Sequence, residues 1–246
     1  MSDAPSSYRG LARWYDAIYD ARGKDYAAEA QALLDVAAEE GAPARSLLDV
    51  ACGTGRHLAA FATHVDEVAG LDASPEMLAI ARTRLDRAVP LVAADMRTFD
   101  IGRRFDVVTC LFSAIGHVAD GGELDAALAA MARHVAPGGV LLLQPWLTPD
   151  TVRPGGVRDL VCATTDDGVV ARAASSHLEG DTTVIAFAWA IATADGVQTV
   201  EEHLRMPVFS QQRYLAAVQR AGLTPRWHDE PGWWAGRGLV IGRSEP

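Results

Sequence analysis

Leu47-Leu48-Asp49-Val50-Ala51-Cys52-Gly53-Thr54-Gly55-Arg56-His57 is the stretch from which the fold is read. An apolar run enters two closely spaced glycines and leaves through residues suited to a first helical turn, so the order predicts strand, tight turn, helix. Glycine lets the chain turn sharply and brings the backbone against a ligand, because no Cβ stands between them. The third glycine of the dinucleotide fingerprint is missing and no Gly-Lys-Ser/Thr ending follows. Neither a nicotinamide dinucleotide nor a nucleoside triphosphate is therefore the first candidate ligand.

Two later runs give the motif its context. Val68-Ala69-Gly70-Leu71-Asp72 ends in a carboxylate about 20 residues on, where Rossmann-like sheets place an acid on ribose hydroxyls. Leu91-Val92-Ala93-Ala94-Asp95-Met96 ends in another, suited to accept from an adenine amino group, with Met96 offering an apolar face to the ring. A glycine loop, a ribose acid and an adenine acid at three successive strand ends resemble the class I S-adenosylmethionine-dependent methyltransferases.

The elements between and beyond these runs alternate as an α/β sheet requires. Leu11, Trp14, Tyr15, Ile18 and Tyr19 form the stripe of an amphipathic helix, and a second helix starts near Tyr26 and ends before Gly41 and Pro43. Residues 57–63 read as the helix after the glycine loop. Ser74 and Pro75 read as the cap and first residue of the next. Phe105-Asp106-Val107-Val108-Thr109-Cys110-Leu111-Phe112 is a fourth strand, followed by the loop Ser113-Ala114-Ile115-Gly116-His117. Asp120 with Glu123 reads as a capping box. Pro137-Gly138-Gly139 is expected to stop that helix, with a fifth strand from Val140.

Beyond Val157 the turns Asp166-Asp167-Gly168, Glu179-Gly180-Asp181 and Ala194-Asp195-Gly196 divide strand-like runs into an antiparallel meander. Its Ile185, Phe187, Trp189 and Ile191 alternate with alanines, so one face is bulky and must cover something. Ser210 caps a last helix ending at Gly222, and two strands lie around residues 224–227 and 238–241. The expected fold is a Rossmann-like, doubly wound, mostly parallel seven-stranded sheet with an inserted antiparallel β-meander lid. Its parts are a loose tail at 1–7, N-terminal helices and cofactor-binding core at 8–156, the insertion at 157–209, and a C-terminal helix with the last strands at 210–246.

At 246 residues with 49% hydrophobic side chains, the chain can bury one substantial core. A net charge of −10 without a lysine/arginine cluster disfavours a nucleic-acid surface. The three cysteines form no Cys-x-x-Cys pair, which points to reduced cytoplasmic thiols and no metal. The polar opening residues and the lack of a long apolar span indicate neither secretion nor membrane insertion.

Further segments narrow the resemblance. Tyr15-Asp16 with Tyr19, Arg22-Gly23-Lys24-Asp25-Tyr26-Ala27-Ala28-Glu29-Ala30, Phe112-Ser113 with Gly116-His117, Pro145-Trp146 and Gly236-Arg237-Gly238-Leu239 join the glycine loop. With them the chain resembles the N,N-dimethyltransferases that act on dTDP-linked aminosugars of macrolide biosynthesis. That resemblance implies methyl transfer from S-adenosylmethionine to a sugar amino group, twice, by a small-molecule enzyme that forms a homodimer. The departures lie in the lid. Family members carry Ser-His-Ser and an arginine where this chain has Ala174-Ser175-Ser176 and Leu178, and Glu-Pro-Trp-Trp where it has Gln144-Pro145-Trp146-Leu147.

Cofactor contacts are expected from Tyr15, Arg22, Asp49, Ala51, Gly53, Gly55, Asp72, Ala73, Asp95, Met96 and Leu111, with Tyr15 and Arg22 on the cofactor carboxylate. Ser113, Trp146 and Arg237 are expected on the acceptor, Arg237 through its fork of donors. Trp233 and Trp234 are further candidates for that pocket. The reaction centre is expected at Tyr19 and His117, with His117 either taking the amine proton or only orienting the amine. Rival readings are a methyltransferase for another small natural product and a non-catalytic cofactor-binding partner. A nicotinamide-dependent reductase is disfavoured by the glycine spacing.

Overall fold

A computed structural model describes residues 10–153, 155–229 and 237–246. The tail at 1–7, together with Trp233, Trp234 and Gly236, lies outside the described residues. Strands β1 (Ser46–Val50), β2 (Glu67–Asp72), β3 (Leu91–Ala93), β4 (Phe105–Cys110) and β5 (Val135–Leu143) pair in parallel. A second sheet holds β6 (Arg158–Thr165), β7 (Gly168–Glu179), β8 (Thr182–Thr193) and β9 (Gly196–Pro207). Strands β10 (Thr224–His228) and β11 (Leu239–Arg243) return to the first, antiparallel, giving the order β10-β11-β5-β4-β1-β2-β3. The expected seven-stranded sheet with an antiparallel insertion is therefore the observed architecture.

Helices α1 (Ala12–Asp20), α2 (Tyr26–Glu39), α3 (Arg56–Phe61), α4 (Pro75–Arg84), α5 (Gly121–Arg133) and α6 (Gln211–Arg220) surround the strands. Four begin with a side-chain cap: Asp25 accepts from the Ala28 N–H, Ser74 from Met77, Asp120 from Glu123 and Ser210 from Arg213. Each such cap stabilises its helix by about 1 kcal/mol. Two apolar layers, one under α5 and α6 and the other under α2, α3 and α4, cover the two faces of the parallel sheet. That double burial is why β1 reads as a nearly unbroken apolar run.

Two boundaries differ from expectation. Strand β5 begins at Val135 and runs through Pro137-Gly138-Gly139, with a register shift against β4 between Phe105 and Val107. A Cβ on Gly139 would lie 2.6 Å from the Asp106 carbonyl oxygen, so the glycines permit a bulge in close contact with β4 where a helix stop was expected. Strand β3 ends at Ala93, and Asp95 opens the turn beyond it, its carbonyl accepting from Thr98 and Phe99.

The meander turns fall where the Gly and Asp clusters put them. Its bulky face covers two things. Val170, Trp189 and Ile191 pack against Leu11, Trp14 and Ile18 of α1, while Ile185, Leu204 and Met206 pack on Trp146 after β5. Helix α1 is in turn tied to the glycine loop, where Thr54 Oγ1 donates to Asp16 at 2.7 Å and Arg84 Nη2 donates to the same carboxylate at 2.7 Å. Among the described residues no helix is long and apolar enough to cross a membrane.

Candidate active site

The strand order reverses between β1 and β4, and the carboxyl ends of these strands open the crevice where doubly wound sheets bind ligands. Backbone strain gathers there: Ala51 after β1 (φ 59°) and Phe112 and Ser113 after β4 (φ 54° and 61°) are left-handed non-glycine residues. Each costs on the order of 1–3 kcal/mol and is held by its surroundings.

The two glycines divide the work of the loop. Gly53 (φ +55°) has nothing within 4 Å of the place a Cβ would take, so its backbone faces open space. Gly55 (φ +76°) is packed, with Ala81 Cβ at 3.0 Å from that point, and lets α4 approach. Asp72 shapes the loop from β2: its carboxylate accepts from the Gly53 and Ser74 N–H groups, each at 2.8 Å. Burial raises its pKa, against backbone hydrogen bonds that lower it.

Asp49, buried in β1, accepts from Thr109 Oγ1 at 2.8 Å. Burial pushes its carboxyl up to about 7, with the Thr109 hydrogen bond opposing and the Asp72 charge adding. Asp95 is held by Arg97, whose Nε donates to Oδ1 at 2.9 Å and whose Nη1 reaches Glu123 at 2.6 Å. The Arg97 hydrogen bond draws the Asp95 pKa down. Ala73 is exposed at the end of β2, Leu111 is buried after β4, and Met96 packs half-buried on the apolar layer under α5 and α6.

The β4 side of the crevice is cationic and aromatic. Tyr15 and Tyr19 of α1 have ring centroids 4.7 Å apart, and Tyr19 meets Phe112 edge-on at 4.7 Å. Arg22 pairs with Asp159 of β6, which occupies the guanidinium expected on the cofactor carboxylate. Arg237 Nη1 donates to Ser113 Oγ at 2.9 Å, and that hydroxyl donates to the Pro145 carbonyl at 2.9 Å. Ser113 is buried, so its hydroxyl fixes Arg237. The guanidinium lies 5.2 Å from the Trp146 ring centre, and burial lowers its pKa. Trp146 Nε1 is buried with no hydrogen-bond partner among the described residues.

His117 closes the single 3₁₀ turn Ala114–His117 after β4. A Cβ on the preceding Gly116 would lie 2.3 Å from Met206 Cε and 3.0 Å from Trp146 Cβ, so glycine lets β9 and Trp146 close on the turn. The His117 side chain is exposed, yet burial holds its pKa below the ordinary imidazole value. Desolvation disfavours the charged ring, so the neutral imidazole is favoured at this turn.

Sequence reading missed two groups beside this crevice. Lys24, Glu29 and His57 form a buried cluster behind Phe112: Lys24 Nζ lies 2.6 Å from Glu29 Oε1 and 4.2 Å from the Phe112 ring centre, and His57 Nε2 lies 2.7 Å from Glu29 Oε2. Burial acts to raise the Glu29 pKa, but the His57 and Lys24 hydrogen bonds outweigh it and the carboxyl is lowered. The available signal was a glutamate on the apolar stripe Tyr26, Ala30, Leu33 of α2. The other is Arg172, a charge on the bulky face of β7.

Together the carboxylates at the ends of β2 and β3, the open space over Gly53 and the neighbouring apolar Leu111 and Met96 suit a nucleoside cofactor with ribose and adenine donors. A family profile described as Methyltransferase domain matches residues 47–139. The chain is 43% identical over 241 residues to the dTDP-3-amino-3,6-dideoxy-alpha-D-glucopyranose N,N-dimethyltransferase of Streptomyces fradiae, covering 96% of this chain and 92% of that protein. Streptomyces venezuelae DesVI superposes with a TM-score of 0.86 at 40% identity, over 95% of this chain and 98% of that one. The S-adenosylmethionine-bound amino pentose methyltransferase CalS10 of Micromonospora echinaspora does so at 0.81 and 41%, over 93% and 95%. The chain is an S-adenosylmethionine-dependent methyltransferase and belongs to the family of the aminosugar N-methyltransferases.

Proposed function

We propose that this enzyme transfers methyl groups to the amino nitrogen of a deoxyaminosugar carried on dTDP, twice, in the biosynthesis of an antibiotic. The observation that carries this reading is the pairing of an acidic cofactor wall with a cationic, aromatic acceptor wall in one crevice. Arg237 fixed by Ser113 and stacked near Trp146 suits a diphosphate or a sugar hydroxyl, since its donors are pre-oriented. The unpaired Trp146 Nε1 suits a sugar oxygen. The relatives cited act on 3-aminohexose and amino pentose acceptors, which supports the class of acceptor.

S-adenosylmethionine supplies a methyl group already activated on a sulfonium, so the protein has chiefly to align the amine and keep it unprotonated. In our reading Asp72 holds the ribose hydroxyls and Asp95 the adenine amino group, with Gly53 backing the cofactor and Tyr15 on its carboxylate, where Arg22 joins it only on release from Asp159. Asp49, Ala51, Gly55, Ala73, Met96 and Leu111 complete the pocket around it. As the nitrogen–carbon bond forms and the carbon–sulfur bond breaks, the electron pair passes to sulfur, and the amine nitrogen must lose a proton. Neutral His117 at the turn after β4 takes that proton. The second methylation repeats the alignment with a secondary amine. The insertion at 157–209 serves as the acceptor lid.

Mass spectrometry of reactions with S-adenosylmethionine and a panel of dTDP-aminosugars, free aminosugars and glycosylated products tests this. A gain of two methyl groups on a dTDP-aminosugar is expected. Turnover confined to a glycosylated product would retain the methyltransferase and remove the nucleotide-sugar acceptor, and it would direct attention to Ala174, Ser175, Ser176 and Leu178 in the lid.

A further inference from the structure

Arg172 lies mid-strand in β7 with 3% of its surface exposed. Its guanidinium sits among three rings, 5.4 Å from the Tyr19 centroid, 4.9 Å from Phe187 and 5.4 Å from Trp189. Among the described residues no carboxylate pairs with it, and its Nε is buried without a partner. A buried cation is ordinarily paired, because leaving water costs more than aromatic faces return. Arg172 therefore has a use that its immediate packing does not supply.

The direction of its polar contact indicates that use. Nη1 lies 3.4 Å from the Tyr19 hydroxyl, and a guanidinium has donors but no acceptor. The Tyr19 oxygen must accept at this contact, so its own proton is turned elsewhere. Tyr19 is half-buried and braced by Phe112 of the β4 loop, whose neighbour Ser113 holds Arg237.

We propose that Arg172 is a positioning residue which, acting through Tyr19, makes that hydroxyl a committed donor to an anionic oxygen on the acceptor's diphosphate. Arg237 approaches the same group from the Ser113 side. Tyr19 is then a binding group for the acceptor rather than a proton acceptor for the amine. This rests on the nucleotide-sugar reading above.

Calorimetric titration with dTDP and, separately, with S-adenosylhomocysteine tests it on wild type, Arg172→Met, Arg172→Lys, Tyr19→Phe and Tyr19→Phe/Arg172→Met. Arg172→Met is expected to weaken dTDP by about tenfold or more, the scale of a charge-assisted hydrogen bond, and to leave S-adenosylhomocysteine within about twofold. Arg172→Lys is expected to recover most of the loss. On the Tyr19→Phe background, Arg172→Met is expected to add less than about twofold, because coupled residues do not add. Unchanged dTDP affinity in Arg172→Met, an equal loss on both backgrounds, or a loss confined to S-adenosylhomocysteine would each overturn the proposal. Should circular dichroism show Arg172→Met unfolded, Tyr19→Phe decides: unaltered dTDP affinity there overturns it. A wild type that does not bind dTDP removes the nucleotide-sugar reading and this inference together, whereas a binding wild type with unaffected variants removes this inference alone.

Discussion

The ends of β1–β3 and the end of β4 face one crevice with opposite chemistry. The first carries Asp49, Asp72 and Asp95, and Arg97 beside Asp95 is tied to Asp95 and Glu123. The second carries Arg22, Lys24, Arg172 and Arg237 among Tyr15, Tyr19, Phe112 and Trp146, with Asp159 and Glu29 as the carboxylates that pair with two of them. The chain is acidic as a whole at −10, so the second wall is a local inversion. On the proposed function, oppositely charged walls sort two ligands without large shape differences, with hydroxyl and amino donors assigned to the first and an anion to the second.

The walls also differ in what holds them. The first wall is set by local devices, the Asp72 carboxylate on Gly53 and Ser74 and the Ser74 cap. The second wall depends on α1 being clamped between the antiparallel sheet and the glycine loop. Trp14→Ala, which removes a fully buried ring from that clamp, is expected to cost about 3–5 kcal/mol of stability, measured by denaturant unfolding. A loss under about 1 kcal/mol would mean that the second wall does not rest on α1.

His117, at the boundary of the walls, comes next in size. His117→Ala is expected to lower kcat by about 100-fold, the lower end of general-base catalysis, with cofactor affinity unchanged. Its lowered pKa fixes the sign of the pH dependence: the wild type keeps its neutral ring, and its activity, below the ordinary imidazole pKa of about 6.5, and loses activity only under more acidic conditions. The variant lacks that acid limb. Full activity in the variant would make His117 dispensable, both as base and as orienting group.

The smallest effect lies on the acidic wall. The Asp49 pKa is raised in the folded state, to about 7, above the unfolded value near 3.9, so the folded protein binds the proton more tightly and loses stability as pH rises between the two. Asp49→Asn mimics the protonated acid and removes this loss. From pH 5 to pH 6 the variant is expected to gain on wild type by at most about 1.4 kcal/mol, read from unfolding midpoints. A pH-independent difference would show that Asp49 is not the titrating group.

The local structure that shapes the first wall was legible in the sequence and that of the second only in part, for a physical reason. Gly53, Asp72, Ser74 and Asp120 act on residues within a few positions or at a fixed strand spacing, so their pattern carries their role. The meander turns are likewise local. Tyr19 and Arg172 lie on α1 and β7, 153 positions apart, and nothing near either names the other. Glu29 gives away its burial by standing on an apolar stripe, but not that Lys24 and His57 meet it there. The contrast between open Gly53 and packed Gly55 is invisible in the sequence, since both are glycines at a turn and only the arrival of α4 distinguishes them.

The most direct test of the two-wall account is a crossed titration of Asp72→Ala and Arg237→Met with S-adenosylhomocysteine and dTDP. Asp72→Ala is expected to weaken S-adenosylhomocysteine by about 30-fold and leave dTDP within about twofold, and Arg237→Met to weaken dTDP by about tenfold and leave S-adenosylhomocysteine unchanged, in keeping with the loss of hydrogen bonds to charged groups. Losses that fall on both ligands in both variants, or that fall the other way round, would contradict the division of the crevice into a cofactor wall and an acceptor wall.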